Sequence, residues 1–568
     1  MTREPVVAAA EAEAPDRQVR AVPRARATGR APGLLRRMAQ TWRHVLGLAA
    51  GGLTAWVRRR RAEPGPRGAA YPLARVASVL VYPFLDHDIV DQPFPVQLRR
   101  RLELLGPTYV KFGQILSLRT DLLPDAVTVE LRNLLDSLPA APWEEIRAII
   151  EADLGVALEE AFRTVETEPL GSASIAQTHR AVTVEGDDVI LKVVKPGIRS
   201  LLKRDGVLLR IVGRLLEMVV PQYRPLNVIE EFIEYTLREV DMVREADNAE
   251  TFAASFRDLK DHIVFPRVYR EWSGRNVLCL EFMDGVRPDS LEALGLSEED
   301  RRELIDVGAE VVVRMLYRDG FFHADLHPAN ILVLPGPRLA FLDLGMVGRL
   351  DSRLRRLLLY YYYCLVIEDY ENASRYLAAV AQPTAGSDPA GFRKEVEDIS
   401  RRWRRARRVE DFSLAQLILE SVRQGGRYRM YFPVEMVLMV KALVTYEGVG
   451  MLLDPGFNVA EVTHRHVVTQ FRHQFSPLCL AREGIRRAPD LMDAFISLPT
   501  LVTEGLRLVE SRKTRRESRP FSGTGGILYG GFCLLAGSVL AVGGAPWPAW
   551  TILLALGGLI PILAGRGE

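Results

Sequence analysis

The sequence predicts an α+β fold in two lobes, with a helical extension ahead of them and a C-terminal transmembrane helical hairpin behind. Three observations predict this. Strand-like patterns occupy three short regions, 168–194, 277–282 and 331–342, while most other segments repeat with helical spacing. At 568 residues the chain is too long for one compact core. No charged residue occurs between Arg519 and Arg566.

Residues 1–33 are rich in Ala, Arg, Pro and Glu without hydrophobic periodicity, the composition of a disordered segment. Glu4, Glu11, Glu13 and Asp16 argue against a transit peptide. Val45–Val57 is apolar but below spanning length and ends in four arginines, Arg58 to Arg61, which leaves a surface-lying amphipathic helix or an ordinary exposed one. From about 72 to 162 the pattern is helical, broken at Pro93, Pro95, Pro107, Pro124 and Pro139. Around 168–194 the period becomes two: Ile175–Val184, the turn Glu185-Gly186-Asp187-Asp188, and Val189–Val194 read as a hairpin. Helical pattern returns over 198–256, Val277–Phe282 reads as a strand, and the remainder to about 510 is mainly helical.

Gly523–Gly544 and Trp547–Ala564 are two apolar runs separated by Ala545-Pro546. The first reaches the roughly 20 residues that a membrane helix needs, and the second is slightly short. Arg512, Lys513, Arg515, Arg516 and Arg519 precede them, which places that end on the cytoplasmic side and makes the hairpin return there. The expected location is the cell inner membrane, with the body in the cytoplasm. Cys279, Cys364, Cys479 and Cys533 are scattered, without a disulfide or zinc framework. The net charge of +2 gives no case for nucleic acid. The basic run Arg401–Arg408, with Trp403, suits either anionic lipid or a solvated helix face.

The most specific stretch is His323-Ala324-Asp325-Leu326-His327-Pro328-Ala329-Asn330, with Asp343-Leu344-Gly345 thirteen residues beyond Asn330. This is the spacing of a kinase catalytic loop and its metal site. Phosphoryl transfer needs a carboxylate near the attacking oxygen and oxygen ligands that hold Mg²⁺ against the phosphates. Asp325 suits the first role; Asn330 and Asp343 suit the second. Ile331–Leu334 and Leu339–Leu342 read as strands whose hairpin brings both metal ligands to one end. The fold is therefore expected to be bilobed and protein-kinase-like. Such a site also needs a strand lysine and a helix-borne acid to hold it. Lys192 supplies the lysine, with Lys195 as the alternative beside Pro196. Asp241 and Glu245 lie one helical turn apart, and Glu239 points elsewhere. Glu281 to Met283 falls where the strand between the lobes would meet adenine.

The chain resembles the UbiB (AarF-type) atypical kinases, relatives of the protein kinases linked to ubiquinone biosynthesis. Leu105-Gly106-Pro107-Thr108-Tyr109-Val110-Lys111-Phe112-Gly113-Gln114 looks like that family's KxGQ motif. Pro169-Leu170-Gly171-Ser172-Ala173-Ser174-Ile175-Ala176-Gln177 looks like its nucleotide loop, and Glu239-Val240-Asp241 with Glu245 and Asn248 like its ExD segment. With Lys192 and the 323–345 stretch, these marks span roughly 105 to 350. The resemblance implies that the Lys111–Gln114 segment folds over the site, that Glu239 pairs with Lys111, and that Glu245 pairs with Lys192. It implies binding of ATP and Mg²⁺, with Gly171, Ser172, Ala173 and Ser174 at the nucleotide. Two departures stand out: the loop has Gly171-Ser172-Ala173-Ser174 where the family is often alanine-rich, and Ala329 stands where it usually has Gly. After Asp343-Leu344-Gly345 there is no room for a peptide-docking activation segment, which argues against protein phosphorylation.

The resulting domain reading is a basic N-terminal segment 1–70, a helical extension 71–165, an N-lobe with inserted helices 166–288, a helical C-lobe 289–510, and two transmembrane helices in 523–564. The expected function is that of a membrane-anchored kinase or ATPase supporting isoprenoid-quinone biosynthesis. Membrane lipid, quinone intermediates and quinone-biosynthesis enzymes are the expected partners. A small-molecule or lipid kinase, or a nucleotide-binding scaffold without catalysis, are the alternatives. Tyr360–Tyr363 reads as core, and His464, His466 and His473 as structural; Lys441 and Glu447 receive no role.

Overall fold

The computed structural model describes residues 34–474 apart from short gaps and, beyond Gln474, only isolated positions. Residues up to His473 form one compact unit. Residues 1–33 and the two C-terminal apolar runs lie outside the described residues, apart from isolated positions in the latter.

The strands that bear on the site are β1 (Phe162–Val165), β2 (Gly171–Ser172), β3 (Ala176–Thr183), β4 (Asp188–Val194), β5 (Ile263–Val264), β6 (Val277–Glu281), β7 (Phe321–His323), β8 (Ile331–Leu334), β9 (Arg338–Phe341) and β10 (Val347–Arg349). The N-lobe sheet runs β1-β3-β4-β6, with β2 paired to β3. Its β3–β4 hairpin is in register from Ala176↔Val194 to Val182↔Asp188. Alternation along β4 buries Val189, Leu191 and Val193 against Ile146 and Ile150 of the Trp143–Leu154 helix, and turns Ile190 and Lys192 to the other face. Because β1 and this helix belong to the same core, the sheet-bearing lobe begins ahead of residue 166.

The helical pattern over 198–256 resolves into three helices: Ile198–Val219, Pro225–Glu239 and Met242–Ser255. The last break corrects the expectation that Asp241 and Glu245 share a helix face. Asp241 is the extended residue just before the third helix, so Glu239 and Glu245 belong to different helices meeting at Val240-Asp241. Arg199 fastens that junction by donating to the Val240 carbonyl at 2.7 Å.

The KxGQ segment forms the Pro107–Leu118 helix. Gly106, at φ +91°, ends the preceding Phe94–Leu105 helix, and Pro107 opens the next with its φ already suitable. Gly113 is glycine because a Cβ there would collide with Leu134 and Leu102. Val45–Val57 turns out to be the middle of a longer helix, Leu34–Ala62. It does more than lie on the surface: Arg37, 5% exposed, makes a bidentate pair with the fully buried Asp205 at 2.7 and 2.6 Å and donates to the Leu105 carbonyl at 2.7 Å. Thr41 adds a 3.1 Å hydrogen bond to Tyr109, two residues before Lys111. Asp205→Ala is expected to leave a buried guanidinium uncompensated, at a cost of about 3–5 kcal/mol. Amide exchange across Leu34–Ala62 should rise sharply in this variant, and unchanged exchange would show that the pair does not hold the helix.

In the C-lobe, the Glu298–Val313 helix and the 20-residue Val434–Leu453 helix lie in one large core. The latter is long and apolar enough to cross a membrane, yet 67% of its apolar window is buried inside the molecule, which makes it a core helix. Tyr361 and Tyr362 are buried in the same core, and Tyr363 stacks on Phe471 with centroids 3.7 Å apart. Trp403 packs against it too, which removes it as a free interfacial anchor, while Arg401 and Arg404 pair with Glu397 and Glu368.

Candidate active site

β8 and β9 pair antiparallel with Ile331 opposite Phe341, and the Leu342 amide donates to the Asn330 carbonyl at 2.8 Å. Asn330 and Asp343 therefore flank one end of this hairpin. The Asn330 side-chain Nδ2 donates to the Asp325 carbonyl at 3.1 Å and lies 3.5 Å from Asp325 Oδ2, and no protein partner is found for the Asn330 Oδ1 among the described residues. Asp343 sits in the left-handed region at φ +42°, a conformation that Asp adopts more readily than most residues. His323 joins the two loops. It is fully buried, its Nδ1 accepts from the Asp325 amide at 3.0 Å, and its Nε2 donates to the Leu342 carbonyl at 3.1 Å. Burial lowers its pKa, so the ring works as a neutral strut.

Lys192 reaches from β4 to two carboxylates at once, Glu245 Oε1 and Asp343 Oδ1, both at 2.7 Å. Burial lowers the pKa of the ammonium, but Asp343 and Glu245 outweigh that and hold it charged. Burial pushes Glu245 up to about 7, with Lys192 pulling the other way. Asp343 keeps about half of its side chain exposed, and the Lys192 ammonium 2.7 Å away holds its carboxyl well below the usual carboxylate range, at about 2. Asn248 donates to the Leu344 carbonyl at 3.0 Å and so fixes the Asp343 loop to the Met242–Ser255 helix.

Lys111 lies 2.5 Å from Glu239 Oε1, with both side chains largely buried. Gln114 is one turn further along the same helix and half-buried. The helix packs against Phe232 and Tyr235 on one side and Val434 and Leu438 on the other, around a small cavity. Lys195, the alternative lysine, lies past the end of β4 and donates to the carbonyls of Ala173 and Pro139 at 2.6 and 3.1 Å. It thus braces the Gly171–Ser174 loop, which is a tight turn closed by Ala173 N to Ala176 O at 2.9 Å. Ser174 is buried, while Gly171 and Ser172 form β2, paired antiparallel with Thr178 and Gln177 of β3. Glu281 ends β6 beside Val189, and its amide is taken by the Arg267 carbonyl. Met283, two residues on, makes no backbone hydrogen bond among the described residues, which leaves its N–H and C=O open to a flat polar ligand edge.

One contact was not foreseen from sequence. Lys441, from the middle of the Val434–Leu453 helix, lies 2.8 Å from Asp325 Oδ1. The signal was a single basic residue inside a 20-residue apolar helix. A charge in such a position calls for a partner.

The cleft thus joins a charged strand lysine, a carboxylate and an amide at one hairpin end, and a second carboxylate with its own cation. Hard oxygen donors such as Asn330 and Asp343 suit Mg²⁺ rather than a softer metal. Residues 133–377 match the ABC1 atypical kinase-like domain, and residues 405–458 match the UbiB helical domain. A probable protein kinase UbiB of Cellvibrio japonicus is 32% identical over 460 residues, covering 78% of this chain and 81% of that protein. Its counterpart in Xylella fastidiosa is 34% identical over 460 residues, covering 78% and 82%. That of Pseudomonas aeruginosa is 31% identical over 490 residues, covering 82% and 89%. A solved structure of a Mycobacterium tuberculosis protein with erythromycin aligns at a TM-score of 0.45 and 22% identity, over 62% of this chain and 90% of that one.

Proposed function

Since the chain belongs to the UbiB family and carries its ABC1 kinase-like fold, we propose that it binds ATP with Mg²⁺ and hydrolyses it at a membrane surface in support of isoprenoid-quinone biosynthesis. The observation that carries this reading is the Lys192 bridge between Glu245 and Asp343, set beside Asn330 at one hairpin end.

Lys192 would hold the nucleotide phosphates, and Glu245 keeps that ammonium charged and aimed. Asn330 and Asp343 would hold Mg²⁺, which when bound supplies positive charge against the phosphates. Asp325 orients the attacking oxygen and accepts its proton. Met283 and Glu281 would meet the adenine edge, and the braced Gly171–Ser174 loop would cover the phosphates. The Lys111–Gln114 helix, clamped through Glu239, occupies a flank that a bulky protein substrate would need, which favours water or a small lipid acceptor over a peptide.

Membrane anchoring rests on the two C-terminal apolar runs, whose basic flank argues for a cytoplasmic body. A second surface supports it. The Tyr71–Val81 helix exposes Leu73, Val76, Val79 and Leu80, and Trp56 of the arginine-ended helix before it lies 6.3 Å from Tyr71. A quinone profile tests the whole reading. In a deletion strain, the wild-type chain should restore isoprenoid quinone and Asp325→Asn should not, while a chain ending at Pro520 should restore less and leave the membrane more readily. Full restoration by Asp325→Asn would defeat the catalytic reading, and an unaltered quinone profile in the deletion strain would defeat the biosynthetic one.

A further inference from the structure

The catalytic loop carries no lysine or arginine of its own. Between His323 and Asn330 the basic candidates are His323, buried and neutral, and His327, whose Nδ1 accepts the Ala329 amide at 3.2 Å. Lys192 faces Glu245 and Asp343, and Lys111 faces Glu239. The cation beside Asp325 is Lys441, 2.8 Å from Oδ1, with both side chains about three-quarters buried (22% and 26% exposed). Its helix lies outside the kinase-like match and inside the helical-domain match.

We propose that Lys441 is a catalytic residue whose ammonium contacts the phosphoryl group in transfer, so that the helical domain completes a site which the kinase-like domain alone leaves unfinished. The inference rests on the phosphoryl-transfer reading above. An ammonium has three donors, and among the described residues Asp325 takes one. The remaining donors lie beside the carboxylate that faces the attacking oxygen, where equatorial phosphoryl oxygens must pass. In the step, a water oxygen forms the new O–P bond while the bond from the γ-phosphorus to the β–γ bridging oxygen breaks. That electron pair leaves on ADP, and the water proton passes to Asp325. Lys441 keeps its proton throughout and pins Oδ1, so that the incoming proton goes to Oδ2, whose protein contact is the long 3.5 Å one from the Asn330 side-chain amide. Its apolar surroundings strengthen the attraction, since Leu438, Val440 and Ala442 on the same helix are buried.

The test uses the full chain in lipid nanodiscs, with Mg²⁺-ATP affinity by calorimetry and phosphate release measured separately. Lys441→Met should bind Mg²⁺-ATP nearly as tightly as wild type but lose about 100-fold in kcat, with KM little changed. Lys441→Arg keeps the charge and should recover a large part of that loss. A role confined to packing or stability predicts no such split and no rescue. Wild-type turnover with a Lys441→Met kcat that keeps pace would overturn this proposal alone. Loss of affinity and kcat together, unrescued by arginine, would also overturn it. Absence of turnover in the wild type would defeat the parent reading and this one with it.

Discussion

Asp343→Asn is expected to abolish Mg²⁺-dependent nucleotide binding while leaving both lobes folded. Asparagine tolerates the left-handed backbone that residue 343 adopts, so the loop keeps its shape. What changes is charge. Lys192 loses one of its two carboxylates and remains on Glu245, and Asn330 loses the anionic partner across the hairpin end. The gain in affinity that Mg²⁺ confers should fall by about 100-fold or more, the scale of one lost charge-assisted contact. Lys192 holds the Asp343 carboxyl at about 2, so mild acid should not mimic the substitution in the wild type. Calorimetry with and without Mg²⁺ decides the matter, and equal Mg²⁺-dependent affinity in the two proteins would remove Asp343 from the metal site.

Asp325→Asn should do the reverse, keeping Mg²⁺-ATP affinity and losing turnover. Positioned proton acceptors contribute on the order of 10²–10⁴-fold to rate, and kcat should drop within that range. Asparagine can still accept a hydrogen bond from Lys441 through its amide oxygen, and the Asp325 backbone keeps its contacts to His323 and Asn330, so that the altered side-chain contact to Asn330 is the long one at 3.5 Å. With γ-labelled ATP the wild type should release free phosphate and put little label on added proteins. Robust labelling of a physiological protein at the rate of hydrolysis would instead make the chain a protein kinase.

What could be read from sequence was local. The β8–β9 hairpin follows from apolar blocks around a Pro-Gly-Pro turn, and with it the joint position of Asn330 and Asp343. Lys192 follows from the alternation of a strand buried on one face. The helix break at Val240-Asp241 did not show, because no proline or glycine marks it; tertiary contacts from Arg199 and the Arg275 carbonyl fix it. The buried start of the first helix was not legible, because arginines look like surface, whereas Arg37 is buried through a partner far along the chain. Lys441 escaped for the same reason. Its helix announces a core or a membrane, and Asp325 is a distant partner that periodicity cannot name.

That distance has a consequence for how the protein comes into being. Arg37 and Asp205 are 168 residues apart, Lys111 and Glu239 128, and Lys192 and Asp343 151. Each pair closes a long loop, and such contacts make folding slow because chain entropy is lost before the contact repays it. A chain leaving the ribosome at roughly 5–20 residues per second has its N-lobe sheet ready many seconds before the Val434–Leu453 helix exists. Until then Asp325 lacks the ammonium of Lys441, so this contact of the site is the last to become possible. On the proposed reading, a chain halted short of that helix would hold its nucleotide lobe without the Lys441 contact to Asp325.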